Sequence, residues 1–195
     1  MKIDLYPCFK HLFDYQTIWV YSDPHFGEEE MVLIRKNYIS DEEQVKRINS
    51  KVGKKDVIIF LGDIGETSYI KQIRGYKILV IGNHDKGKTN YQKQIISGEN
   101  NYLFDEVYEG IVTLSDKLVL SHEPIYLPFM FNIHGHDHSN KNSIDDGLHL
   151  NVCAEHIDYT PISINALIKE GVLKDVASIH GITIDRASNK HKDNR

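Results

Sequence analysis

Three short runs rich in apolar and β-branched residues each stop at a cluster that carries Asp, Asn or His. Thr17-Ile18-Trp19-Val20-Tyr21 meets Ser22-Asp23-Pro24-His25, Asp56-Val57-Ile58-Ile59-Phe60-Leu61 meets Gly62-Asp63, and Lys77-Ile78-Leu79-Val80-Ile81 meets Gly82-Asn83-His84-Asp85. Runs of this length and composition read as strands, and the unbroken apolar character of the second is that of a strand buried on both faces. The pattern returns downstream, where Lys117 to Leu120 runs into Ser121-His122-Glu123-Pro124 and Phe129 to Ile133 leads to His134-Gly135-His136-Asp137-His138. Open α/β sheets gather their ligands outside the carboxyl ends of their strands, so all five clusters are expected along one edge of such a fold.

Helical spacing separates the early strands. Met31 and Ile34 mark one helix within Glu28 to Lys36, and Val45, Ile48 and Val52 mark another within Asp41 to Val52. Ser40 is its expected N-cap, with Glu43 completing a capping box. A third helix is expected through Ile70 and Ile73, and a last one over Ile162 to Glu170 with Ser163 as cap. The second half has fewer helical signals. Ile111 to Leu114 and Lys117 to Leu120 flank Ser115-Asp116 as a hairpin would, Ser139 to Gly147 reads as a polar loop, and Leu148 to Val152 reads as a strand. The expectation is a βαβ-type first half, with parallel strands, and a more antiparallel second half.

With 195 residues, no repeat and no low-complexity linker, the chain reads as one domain over 1–195, with its motif core at 17–154 and a frayed polar tail at 187–195. No run approaches the roughly 18 apolar residues of a membrane span, and the N-terminus lacks the pattern of a secretory signal, so a cytoplasmic protein is expected. Cys8 and Cys153 form no CxxC pair, which argues against a thiolate zinc site or a disulfide framework. A net charge of -5 argues against broad attraction to nucleic acid, although bound metal could supply a local positive site.

Taken singly, the clusters have ordinary readings: Asp before Pro starts turns, Gly-Asp caps helices, and Asn after Gly tolerates a left-handed turn. Taken together they supply more Asp, Asn and His donors than one tetrahedral ion can use, which suits two ions sharing a carboxylate. Such donors without Cys accept Mn²⁺, Fe²⁺, Co²⁺, Ni²⁺ or Zn²⁺ and do not separate them sharply. Two divalent ions against the carboxylates of Asp23 and Asp63 leave a charge of about +2, a match for phosphate. A pair about 3.5–4 Å apart can generate hydroxide at neutral pH and clamp the oxygens of an in-line displacement. His11, His149, His156, His180 and His191 fall in no cluster and read as structural or surface residues, although the strand carrying His149 and Asn151 follows the last cluster and could approach the site. Arg35, Lys86 and Lys88 are nearby cations, none of which is assigned to substrate.

The five clusters, in this order, resemble the DxH, GD, GNHD, H and GHxH pattern of calcineurin-like metallophosphoesterases. In finer detail Ser22 to Gly27, Lys77 to Asp85 and Tyr159-Thr160-Pro161-Ile162-Ser163 resemble a compact bacterial and phage branch, from which Glu28 departs where His is common. The resemblance implies a four-layer α/β/β/α sandwich of two mixed sheets flanked by helices. It implies a first metal held by Asp23, His25, Asp63 and His138, and a second held by Asp63, Asn83, His122 and His136, with Mn²⁺ the foremost metal. It places His84 beside the scissile phosphate, with Asp85 orienting it. The expected activity is hydrolysis of phosphodiester bonds in a small or nucleotide-type substrate, rather than long duplex DNA, by a metal-bridging hydroxide. A phosphomonoesterase is the alternative, and a non-catalytic scaffold a more distant one.

Overall fold

The computed structural model describes residues 4–35, 37–85, 103–139, 146–178 and 180. Lys86, Lys88, His191, the expected tail at 187–195 and positions 140–145 of the expected polar loop lie outside the described residues.

The first sheet contains β1 (Ile18–Tyr21), β2 (Val57–Phe60), β3 (Tyr76–Val80), β4 (Glu106–Tyr108) and β9 (Ile162–Ser163), in the order β4-β3-β2-β1-β9. β1, β2, β3 and β4 are parallel, as in Val20↔Ile59 and Ile59↔Ile78, whereas β9 lies antiparallel on β1. The second sheet contains β5 (Val112–Thr113), β6 (Leu118–Leu120), β7 (Phe131–His134) and β8 (His149–Asn151), in that order. The hairpin expected at Ser115-Asp116 is present as the antiparallel pair β5 and β6. From there the expectation of an antiparallel second half fails, because β6, β7 and β8 are mutually parallel. Among the described residues their crossovers contain no helix, so sequence periodicity there carries no mark of the parallel arrangement.

Strand residues alternate between two cores, the period of 2 that a pleated sheet imposes. Val20, Val57, Ile59, Leu61, Ile78 and Val80 face Leu118, Leu120, Phe131 and Ile133 of the other sheet. Tyr21, Ile58, Phe60 and Leu79 turn the opposite way, onto Val45 and Ile48 of α2 (Asp41–Lys51) and Val52 just after it. The two mixed sheets packed face to face, with helices against them, form the α/β sandwich expected.

Ser40 caps α2 by accepting the Glu43 N–H at 3.3 Å. The Glu43 carboxylate instead meets Lys46 and Arg47, so it is not bonded back as a capping box requires. The first expected helix shrinks to α1 (Met31–Ile34), and the one through Ile70 to a 3₁₀ turn, Ile70–Gln72. The last helix, α3 (Ile164–Glu170), starts two residues late because Ile162–Ser163 pairs with β1, and Ser163 caps it through the Ala166 N–H. Among the described residues no helix is long and apolar enough to cross a membrane.

Candidate metal centre

Parallel strands bring their carboxyl ends to one edge of a sheet, and here the first sheet contributes three such ends and the second two. β1, β2 and β3 deliver Asp23 and His25, Asp63, and Asn83 to Asp85, while β6 and β7 deliver His122 and the His136 to His138 loop. Because the sheets pack face to face, these edges meet. Asp23, His25 and His138 each present a ligand atom within 4.8 Å of the others, and so do Asp63, His122 and His136. Asn83 joins the second set, its Oδ1 lying 2.7 Å from His122 Nε2 and 3.1 Å from His136 Nδ1. The two sets touch at Asp63, whose Oδ2 is 3.7 Å from His25 Nε2 and 3.4 Å from His122 Nε2.

The backbone is contorted where these donors sit. Asp23, His25, Asp63 and His136 all have positive φ, at 54°, 48°, 53° and 69°. Such angles are uncommon for residues other than glycine, and they persist only where surrounding contacts enforce them. The glycines of the clusters act by close approach. A methyl group on Gly82 would lie 2.6 Å from the Asp63 backbone N, and one on Gly135 would overlap Ser22 Oγ and Asp23 Oδ2.

Electrostatics agree with the crowding of donors. Burial raises the Asp63 carboxyl, and the neighbouring Asp23 carboxylate adds to this against His122. Burial acts on Asp23 in the same sense, but the imidazoles of His138 and His122 and the Ser22 hydroxyl outweigh it and hold that carboxyl well below the usual range. Burial lowers His25, against the pull of Asp23 and Glu28. His138 is pushed up to about 9, because Asp23 and Glu155 outweigh its burial. Asp23 Oδ1 and His25 Nε2 are buried without a hydrogen-bond partner. Buried polar atoms are ordinarily satisfied, so two orphans aimed into one cluster of carboxylate and imidazole donors fit a cation.

Three of the four imidazoles are held by their other nitrogen. His122 Nδ1 donates to the Leu61 carbonyl at 2.7 Å, His25 Nδ1 meets Glu28 at 2.8 Å, and His138 Nδ1 meets Glu155 at 2.6 Å. The carbonyl of Asp137, between the two candidate ligand histidines of its loop, accepts from Asn151 Nδ2 and His156 Nε2. His84 is exposed, with its ring edge-on to His25 at 5.4 Å, and its backbone N–H donates to Asp63 Oδ1 at 2.9 Å.

Asp85 differs from expectation. Its buried carboxylate accepts the backbone N–H groups of Gly82, Asp63 and Ile64 at 2.8–2.9 Å, so it clamps two strand-end turns together rather than orienting the His84 ring. Arg35 is likewise buried, not free for substrate. The sequence reading missed Ser22, Arg35, Glu155 and His156 as supports of the site. Only Glu155 had a usable signal: the Leu148 to Val152 strand ends near an acid, as the other site strands do.

Comparisons with known proteins bear on this arrangement. An uncharacterised protein of Methanocaldococcus jannaschii is 25% identical over 177 residues, covering 79% of this chain and 90% of that protein. The crystal structure of a protein of unknown function from Aquifex aeolicus, 24% identical, superposes with a TM-score of 0.61 over 79% of this chain and 98% of the other, a likeness of fold. A weaker likeness, TM-score 0.42 at 20% identity over 61% of this chain and 60% of the other, is to the nuclease MPE of Pseudomonas putida. The model of the calcineurin-like phosphoesterases matches residues 16–185, nearly the whole chain, and the protein belongs to that family.

Proposed function

We propose that the protein is a two-metal phosphoesterase that hydrolyses phosphodiester bonds of a small or nucleotide-type substrate. The observation that carries this reading is the position of Asp63 Oδ2, 3.7 Å from His25 Nε2 and 3.4 Å from His122 Nε2, between the two sets of donors. A carboxylate so placed can serve two ions at once. Asp23, His25, Asp63 and His138 would hold the first ion, and Asp63, Asn83, His122 and His136 the second. Oxygen and imidazole donors favour Mn²⁺ in this reading and admit Fe²⁺, Co²⁺, Ni²⁺ and Zn²⁺. When bound, such a pair supplies Lewis acidity and a water acidic enough to act as a nucleophile near neutral pH.

The chain's own residues do the remaining work. Asn83, His84 and His136 are exposed, so the centre is open on their side and a phosphoester can approach there. His84 stands at that opening, where its ring can donate a proton to the leaving oxygen or stabilise the charge developing on the phosphoryl group. An alkoxide is a poor leaving group and gains most from such a donor. Asp85, by clamping the Gly62 and Gly82 turns, keeps Asp63 and His84 in register.

The test is hydrolysis of bis-p-nitrophenyl phosphate and p-nitrophenyl phosphate by metal-stripped protein, with Mn²⁺, Ni²⁺ or Zn²⁺ restored. Diester cleavage that returns with metal and disappears in Asp63→Ala supports the proposal. Faster cleavage of the monoester would replace the diesterase with a phosphomonoesterase, and no turnover despite two bound ions would favour a non-catalytic scaffold.

A further inference from the structure

Outside the seven donors of the centre, three charged residues form a support that the family pattern does not contain. Arg35 lies at the end of α1, its side chain wholly buried, with its guanidinium over the Tyr159 ring at 5.9 Å. One arm donates to the Pro24 carbonyl at 3.2 Å and another to the Asp23 carbonyl. These carbonyls belong to the turn in which both Asp23 and His25 are forced to positive φ. Arg35 Nε faces Glu155 Oε2 at 3.3 Å, and Glu155 Oε1 meets His138 Nδ1 at 2.6 Å. His138 Nε2 in turn lies 3.4 Å from Asp23 Oδ1, which closes a ring of contacts back onto the residue where it began.

We propose that Glu155 and Arg35 are positioning residues that build the first metal site, with Glu28 doing the same for its other histidine. The proposal rests on the two-metal reading above. A carboxylate on Nδ1 fixes the tautomer so that Nε2 carries the lone pair, holds the ring's plane, and makes the imidazole a stronger donor. Both histidines of the first site have such a carboxylate: Glu28 on His25 and Glu155 on His138. The second site does not, since His122 is held by a neutral backbone carbonyl and His136 points Nδ1 itself at the donors. Arg35 supplies the counter-charge that lets Glu155 stay ionised in a confined place, and it ties that carboxylate to the strained Asp23 turn. A buried ion pair of this kind is poor at stabilising a fold but effective at fixing geometry, because either partner alone would be an uncompensated buried charge.

The consequence is selective. Removing Glu155 should weaken one metal site and spare the other. The experiment is calorimetric titration of metal-stripped wild type, Glu155→Gln and Glu155→Ala with Mn²⁺, each checked for native fold by circular dichroism. Loss of a partner that orients a ligand histidine commonly weakens metal binding by about 10–100-fold. We expect two ions in the wild type and a drop of that size for one of them in Glu155→Ala, with Glu155→Gln intermediate because its amide oxygen still accepts from Nδ1. If Glu155→Ala does not fold, Glu28→Gln, at a partly exposed carboxylate, should weaken the same ion. Equal affinities for both ions in folded Glu155→Ala, or in Glu28→Gln where that variant is needed, would overturn the proposal while leaving the two-metal reading intact. A wild type that binds no second ion would overturn both.

Discussion

Replacing Gly135 with Ala adds one methyl group at a point where the loop after β7 lies directly against the end of β1. The added carbon would overlap Ser22 Oγ and Asp23 Oδ2 and come within 2.7 Å of Ser22 Cβ, whereas such carbons essentially never approach closer than 3.0 Å. Neither neighbour can swing aside. Ser22 and Asp23 are fully buried; the Ser22 hydroxyl is committed to Asp23 and to the Leu61 carbonyl, and Asp23 Oδ2 also accepts the His136 N–H at 2.9 Å. The backbone at position 135 has no positive φ, so the whole effect is steric. Overpacking of this kind costs about 1–3 kcal/mol. The larger effect is expected on function, since relief requires moving either Asp23 or the loop of His136 and His138, and displacements near 1 Å at a reacting centre cost about 100-fold in rate. Denaturant unfolding of metal-stripped protein measures the first effect, and metal titration with diester hydrolysis the second. A Gly135→Ala protein with unchanged midpoint, two ions bound at wild-type affinity and full turnover would refute the reasoning.

Three further outcomes are expected. His84→Ala should reduce kcat for the diester by about 100- to 10,000-fold, the range of general acid–base catalysis, with metal stoichiometry unchanged, because the contact to Asp63 is made by the backbone of residue 84. Unchanged kcat would remove His84 from the reaction. Asp85→Ala strands three buried N–H groups at about 1–3 kcal/mol each, so it should destabilise the fold by roughly 3 kcal/mol or more in denaturant, and Asp85→Asn by less. Finally, His138 is held protonated up to about pH 9 in the metal-free fold, so loading the first site below that pH should release its proton. Calorimetry in buffers of differing ionisation enthalpy would measure this, with the release fading above pH 9. The same raised pKa favours the metal-free fold fully below the ordinary imidazole value of about 6.5 and loses that contribution as pH rises through 9.

Where the sequence reading succeeded and failed follows from the range of the interactions involved. The strand-end clusters were legible because a buried parallel strand needs an unbroken apolar run, and the polar residues that stop it are then conspicuous. Helix extents were less so: Met31 and Ile34 have helical spacing, yet the segment after His25 folds into one short helix because its chain must carry Arg35 back to the Asp23 carbonyl. The direction of β7 and β8 was misread for a related reason, since parallel pairing usually announces itself by an intervening helix and the described residues of these crossovers contain none. Asp85 was assigned to its sequence neighbour, whereas its carboxylate is taken by backbone groups of the preceding strand end.

What the sequence determined by itself is the set of donors and their place at strand ends, because residue type and strand periodicity are local properties. The tertiary structure decided which of those donors lie within reach of one another, that Asp63 stands between the two sets, and that Glu28 and Glu155 contact His25 and His138 while Arg35 faces Glu155. Those are contacts between residues as far apart in the chain as Asp23 and His138, or Arg35 and Glu155. No local pattern encodes them. They exist only because two sheets, sealed by the apolar core between them, bring their carboxyl edges to the same place.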